Sequence, residues 1–161
     1  MAEIHKISIY QDIEGTEFPA GRRTRVLVGV DSPLQAEHYV VGTANVHPGG
    51  GVPEHAHETE ETYIILSGTG EMIIDGEPVP IKSDDVIYLP PMQRHELKNT
   101  GDTEMRTIFV YAPKMVVEHW AQESKGELPM KNKRMRYLSI TAAILLVFVL
   151  LMLLFSNRSG D

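Results

Sequence analysis

No cysteine occurs in the chain, which removes disulfide frameworks, thiolate nucleophiles and thiolate-ligated zinc or iron–sulfur sites from consideration. Any bound metal must therefore be held by His, Asp or Glu. Aromatic side chains are sparse at 7 %, with a single Trp. Positive charge is scarce over most of the length: up to Met130 there are 10 Lys and Arg against 21 Asp and Glu, net -11, whereas from Lys131 onward there are 5 against 1, net +4. An acidic body of this kind lacks the basic stripe of a nucleic-acid binder, so no nucleic-acid partner is expected. With 161 residues, 42 % hydrophobic and 23 % charged, the chain has the size and composition of one globular domain.

Long apolar runs are absent with one exception. Residues 138–155 (LSITAAILLVFVLLMLLF) carry no charge over eighteen positions. As a helix at about 1.5 Å per residue they would span about 27 Å, close to the hydrocarbon thickness of a bilayer. Lys131, Lys133, Arg134 and Arg136 precede the run, followed by Tyr137 at the expected interface. The positive-inside rule then predicts a single-pass tail anchor with the N-terminal domain in the cytoplasm. Ser139, Thr141, Ala142 and Ala143 at its start would suit packing against the helix of another membrane subunit. The expected division is a domain over residues 1–123, a linker and basic juxtamembrane segment over 124–137, the span over 138–155 and a short tail over 156–161.

The acidic body reads as closely spaced strands: IHKISIY, RTRVLVGV, EHYVVGTANV, ETYIILSG, GEMIID, DVIYL, HELKN and MRTIFVYA. They are rich in β-branched and aromatic residues and separated by turn signals such as Asp31-Ser32-Pro33, Gly68-Thr69-Gly70 and Pro90-Pro91. The pattern predicts an all-β, antiparallel barrel or jelly roll rather than a βαβ fold. Asp75-Gly76, between GEMII and EPVPI, is the strongest hairpin signal. Residues 113–123, with Met115, Val116, Val117 and Trp120, suit a short helix that closes the domain, rests on the membrane or packs on a second subunit.

Three potential ligands, His55, His57 and Glu61, fall within seven residues. On a strand, positions two apart face the same way, and Glu61 keeps that parity if the intervening turn preserves it. His95, at the start of HELKN, offers a fourth. Imidazoles with one carboxylate and no thiolate suit one divalent transition metal: Fe, Mn, Ni, Co or Zn.

Residues 49–68 read G-x5-H-x-H-x3-E-x6-G, and residues 90–99 read P-x4-H-x3-N. Together they resemble the paired motifs of the cupin superfamily, with Gly49, Pro53, His55, His57, Glu61 and Gly68 in the first and Pro90, His95 and Asn99 in the second. Asp84 and Met92 stand where that pattern has glycine, and a Met at positive φ would be strained. The resemblance spans roughly residues 42–111. It implies a six- to eight-stranded conical barrel of the single-domain type, usually a homodimer, with His55, His57, Glu61 and His95 around one metal. Only Glu61 lies six residues before Gly68; Glu60 would face away, and Glu58 and Glu60 read as solvated rim charges or, at most, partners that orient a ligand.

Among other candidates, His47 reads as a structural histidine or a residue of the barrel mouth. Tyr63 and Ile65 share the parity of Glu61 and belong to the core or the pocket floor. Arg94 should point outward. Arg106 lies on a solvated sheet face or reaches a substrate carboxylate, and Phe109 and Tyr111 pack. The resemblance implies a metal-dependent enzyme, foremost an Fe(II) dioxygenase on a small organic substrate, with an isomerase or lyase equally compatible. The apolar tail suggests a different class, an accessory or sensor subunit of a membrane complex.

Overall fold

The computed structural model describes residues 10–115 and 118–128. Their architecture follows from alternation. In the strand Met105–Ala112 every second residue, Met105, Thr107, Phe109 and Tyr111, is buried. In Glu60–Ser67 the buried set is Glu61, Tyr63 and Ile65. Each strand thus presents one face inward, and two antiparallel sheets close face to face over the inward side chains. Fully burying an aliphatic side chain such as Ile65 or Leu97, both at 0 % exposure, contributes about 1.5–3 kcal/mol.

Ten strands occur among the described residues. In chain order they are β1 Thr16–Phe18, β2 Arg22–Val28, β3 Val40–Val46, β4 Gly51–His55, β5 Glu60–Ser67, β6 Thr69–Ile74, β7 Glu77–Lys82, β8 Val86–Leu89, β9 His95–Asn99 and β10 Met105–Ala112. One sheet has the order β1-β2-β3-β10-β5-β8 and the other β4-β9-β6-β7. The antiparallel jelly roll expected from the pattern is present, with more strands than the six to eight implied by the resemblance. The additions have physical reasons. β1 is only three residues long, and β4 (GVPEH) contains Gly51 and Pro53, which weaken a strand signature. The first expected strand, residues 4–10, lies outside the described residues except for Tyr10, which begins a 3-10 turn, Tyr10–Asp12.

The turns behave as their residues dictate. Asp75 and Gly76 take φ of 49° and 90° and join β6 to β7 as a two-residue hairpin with Ile74 opposite Glu77. Gly68, φ 90°, links β5 to β6 where an added Cβ would come within 2.8 Å of the Met105 backbone. Asp84 and Met92 do adopt positive φ, 74° and 64°. Gln93 N–H donates to the Pro90 carbonyl, so Pro90-Pro91-Met92-Gln93 is a β-turn with Met92 at the position that favours glycine.

After β10 the chain folds back as one short helix, α1, Glu118–Ser124, ended by bonds from Gly126 N–H to Glu123 O and from Glu127 N–H to Gln122 O. Trp120 lies against Phe18, Phe109 and Tyr111 at ring separations of 6.3, 6.0 and 6.4 Å. Of the three roles open to this segment, α1 takes that of closing the barrel; Val116 and Val117 lie outside the described residues. A buried ion pair fixes it: Arg22 and Glu123 are each 1 % exposed and meet at 2.6 Å. Among the described residues no helix is long and apolar enough to cross a membrane, and the apolar run 138–155 with its basic flank lies outside them.

Candidate metal centre

Four side chains from both sheets converge inside the barrel. β4 and β9 are paired with His55 directly opposite His95, so two imidazoles of the smaller sheet lie side by side, ring centres 4.1 Å apart. Glu61 comes from the larger sheet, on β5. His57 belongs to the β4–β5 connection rather than to a strand, so the crossover between sheets, and not strand parity, brings it to the others. One ligand atom from each of His55, His57, Glu61 and His95 lies within 4.8 Å of the rest.

The imidazoles are held in one orientation. His55 Nδ1 lies 2.7 Å from the Pro53 carbonyl, His57 Nδ1 3.0 Å from that of Thr59, and His95 Nδ1 2.8 Å from that of Gln93. A carbonyl only accepts, so each Nδ1 carries the proton and each Nε2 turns a lone pair inward. Two of these, on His57 and His95, face Glu61 Oε2 at 3.1 and 3.0 Å. His55 Nε2, His95 Nε2 and Glu61 Oε1 are buried without a hydrogen-bond partner among the described residues. Lone pairs and a carboxylate that converge in this way repel one another unless a cation or protons lie between them. The donor set therefore fits a divalent transition metal, and the backbone carbonyls supply the outer contacts that orient such ligands.

The electrostatics agree. Burial, with His95 next to it, lowers the His55 pKa to about 3, which keeps its imidazole neutral at pH 7. Burial pushes the Glu61 carboxyl up, but the close approach of His57 and His95, which favours the carboxylate once a proton sits on one of the facing Nε2 atoms, outweighs it and brings the pKa to about 2. Burial first and the Glu61 charge second raise the Tyr63 and Tyr111 phenols well above their ordinary value.

The other sequence candidates divide. Tyr63 is 2 % exposed, with its ring 6.4 Å from that of His95. His47 and Arg106 are not brought to the cluster. His47 is half exposed and bound to Glu17 at 2.6 Å, and Arg106 takes the exposed face of β10, opposite Asn45 and Ser67. Arg94 points outward and pairs with Glu54. Glu58 and Glu60 are exposed.

Two neighbours were not singled out as site residues. Tyr111, expected only to pack, has its ring 5.2 Å from that of His57. His119 on α1 is 4 % exposed and lies over His55 at 3.8 Å between ring centres, its Nδ1 without a hydrogen-bond partner among the described residues. Burial, with His55 next in weight, lowers its pKa well below the ordinary value. A groove of about 320 Å³ leads from solvent toward His57 between Glu58, Met92, Glu118, His119 and Gln122.

An antiparallel jelly roll with three imidazoles and a carboxylate grouped in its interior has the donor set of a divalent metal site. Residues 42–111 match the cupin domain family, and the fold is that of the cupin superfamily. The chain is 34 % identical over 91 residues to the polyketide synthase CurC of Streptomyces cyaneus, 56 % of this chain and 55 % of that one. It is 41 % identical over 64 residues to an oxalate-binding protein of Thermotoga maritima, 39 % of this chain and 53 % of that one. The chain thus spans about half the length of these relatives. Among solved structures, an RmlC-like cupin from Shewanella frigidimarina superposes with TM-score 0.58 at 17 % identity, over 68 % of this chain and 91 % of that one.

Proposed function

We propose that the barrel binds one divalent transition metal, Fe(II) in preference to Mn, Ni, Co or Zn, through His55, His57, Glu61 and His95, and acts as a dioxygenase on a small organic substrate. The inward Nε2 lone pairs, held by carbonyl contacts at Nδ1 and facing a buried carboxylate, carry this reading. Three nitrogens and one oxygen leave an octahedral ion two positions for small molecules. A bound ion supplies Lewis acidity and a template for substrate and oxygen. The chain's own groups fix the ligands, exclude bulk water through Trp120 and His119, and admit substrate along the His57 groove. Similarity to a polyketide synthase protein and to an oxalate-binding protein supports a small organic substrate.

A second reading rests on the apolar run 138–155 and its basic flank: a cytoplasm-facing cupin, anchored to a bilayer, that serves as accessory subunit of a membrane complex. Metal analysis of the full chain purified in detergent, followed by oxygen uptake with candidate substrates, separates the two. Stoichiometric metal with oxygen uptake supports the enzyme. Metal-free protein that co-purifies with integral membrane proteins, and loses them when residues 131–161 are deleted, supports the subunit and refutes the enzyme.

A further inference from the structure

Arg22 is a guanidinium inside the barrel. Arg22 and Thr24 take the inward face of β2, 1 % and 5 % exposed, and with Tyr63, Tyr111, His119 and Trp120 they border a cavity of about 10 Å³. Tyr63, Tyr111 and His119 also flank the His55, His57, Glu61 and His95 cluster, so the cavity adjoins that site. α1 fills the space above it. Its Glu123 reaches Arg22, with Nη1 donating to Oε1 at 2.6 Å while also donating to the Gly51 carbonyl at 3.1 Å.

Three observations make Glu123 a replaceable occupant rather than a permanent part of the fold. Its hold is limited to few partners: besides the two 2.6 Å approaches to the Arg22 guanidinium, Glu123 has only a long contact of 3.4 Å from the Ala20 N–H to Oε1 and no further partner at Oε2 among the described residues. A polar group beside it goes unused, since Thr24 Oγ1 is buried with no partner among the described residues. The element that delivers it is a seven-residue helix, a length marginal by itself. A buried ion pair is also a weak device for stability, because desolvation offsets the attraction; Trp120 already supplies the apolar contact that docks α1.

We propose that Arg22 is the binding residue for a carboxylate of the substrate, and that Glu123 is an internal stand-in which keeps α1 over the barrel mouth until a small organic carboxylate displaces it. The proposal rests on the metal-dependent reading of the barrel and names its substrate class. Displacement of Glu123 releases α1, opens the space above the metal ligands, and leaves Thr24 and the Tyr63 and Tyr111 hydroxyls to meet the rest of the substrate.

Trp120 is the only Trp of the chain, so its emission reports on α1. Metal-free full-length protein is titrated with acetate and succinate, with chloride at matched ionic strength and neutral acetamide as controls. A saturable red shift is expected with the carboxylates alone. Glu123→Gln removes the competing charge, and its half-saturating concentration should fall about tenfold or more, as the competent fraction rises. Arg22→Met combined with Glu123→Gln removes both charges and should not respond. An equal response in that double variant overturns the proposal, as does no response in either the wild type or Glu123→Gln. If Glu123→Gln fails to fold, the wild type against the double variant decides by the same criterion. Metal stoichiometry of the same proteins is measured separately: full loading without a carboxylate response sinks Arg22 as the substrate residue and leaves the metal site standing, and the reverse result sinks the metal site.

Discussion

Acidification from pH 7 to pH 5 should destabilise the metal-free protein by about 2 kcal/mol through His55 alone. In the folded state its pKa is lowered to about 3 from 6.5. A histidine with a depressed folded value stabilises fully above its unfolded pKa, and that contribution is lost as pH falls below it, at about 1.4 kcal/mol per pH unit. At pH 5 the unfolded chain binds the proton and the folded chain does not, over about 1.5 units. His119, also lowered, acts in the same direction. Carboxylates stay out of this window. Glu61 is held at about 2 and Glu17 and Asp85 are lowered; their contributions are present above the ordinary carboxylate pKa and fade only below it. Urea unfolding at pH 8, 7, 6 and 5 should show a flat region above pH 7 and then a midpoint about 1 M lower at pH 5, for a slope of about 2 kcal/mol per M. His55→Gln, neutral at every pH, should lose much of this dependence. A wild-type midpoint that is unchanged from pH 7 to pH 5, or an undiminished fall in His55→Gln, refutes the assignment of a buried neutral imidazole.

Met92→Gly should stabilise the protein. Relief of the left-handed conformation is worth about 1–2 kcal/mol, set against about 0.5–1 for the freedom glycine has when unfolded, and thermal unfolding should rise by about 2–4 °C per kcal/mol gained; a lower melting temperature contradicts the strain at this turn. His95→Ala removes one of four donors, and the metal retained after dialysis should fall well below one per chain, with circular dichroism checking that the strands persist; full retention excludes His95 as a ligand. The full chain should co-sediment with anionic vesicles and deletion of residues 131–161 should abolish this; equal partitioning of both forms removes the bilayer as a partner.

The strands and the grouping of His55, His57 and Glu61 were legible because both depend on short-range pattern, and His95 joined them through the second motif. Alternation in ETYIILS and MRTIFVYA marks an inward face without reference to the rest of the chain, and the spacing from His55 to Glu61 is local. His119 and Arg22 carry no such mark. His119 follows His95 by more than twenty residues and reaches the cluster only because α1 folds back across the barrel. Arg22 stands one residue before the expected strand RTRVLVGV, and a buried arginine there makes sense only once Glu123 is known to meet it. Arg106 shows the opposite case: of the two readings open to it, the solvated sheet face is the one taken, as parity requires, since Met105 and Thr107 are the buried neighbours. β4 escaped notice because Gly51 and Pro53 mask a strand whose hydrogen bonds to β9 are long-range.

The contact between Arg22 and Glu123 spans 101 residues of sequence, and that separation bears on how the chain acquires its structure. Contacts so distant are made late, after loop-closure entropy has been met by the sheets. During synthesis the barrel strands emerge before α1, and until Glu123 leaves the ribosome Arg22 is a guanidinium without its anion at the barrel mouth. The nascent domain should therefore stay open at that end until α1 has emerged.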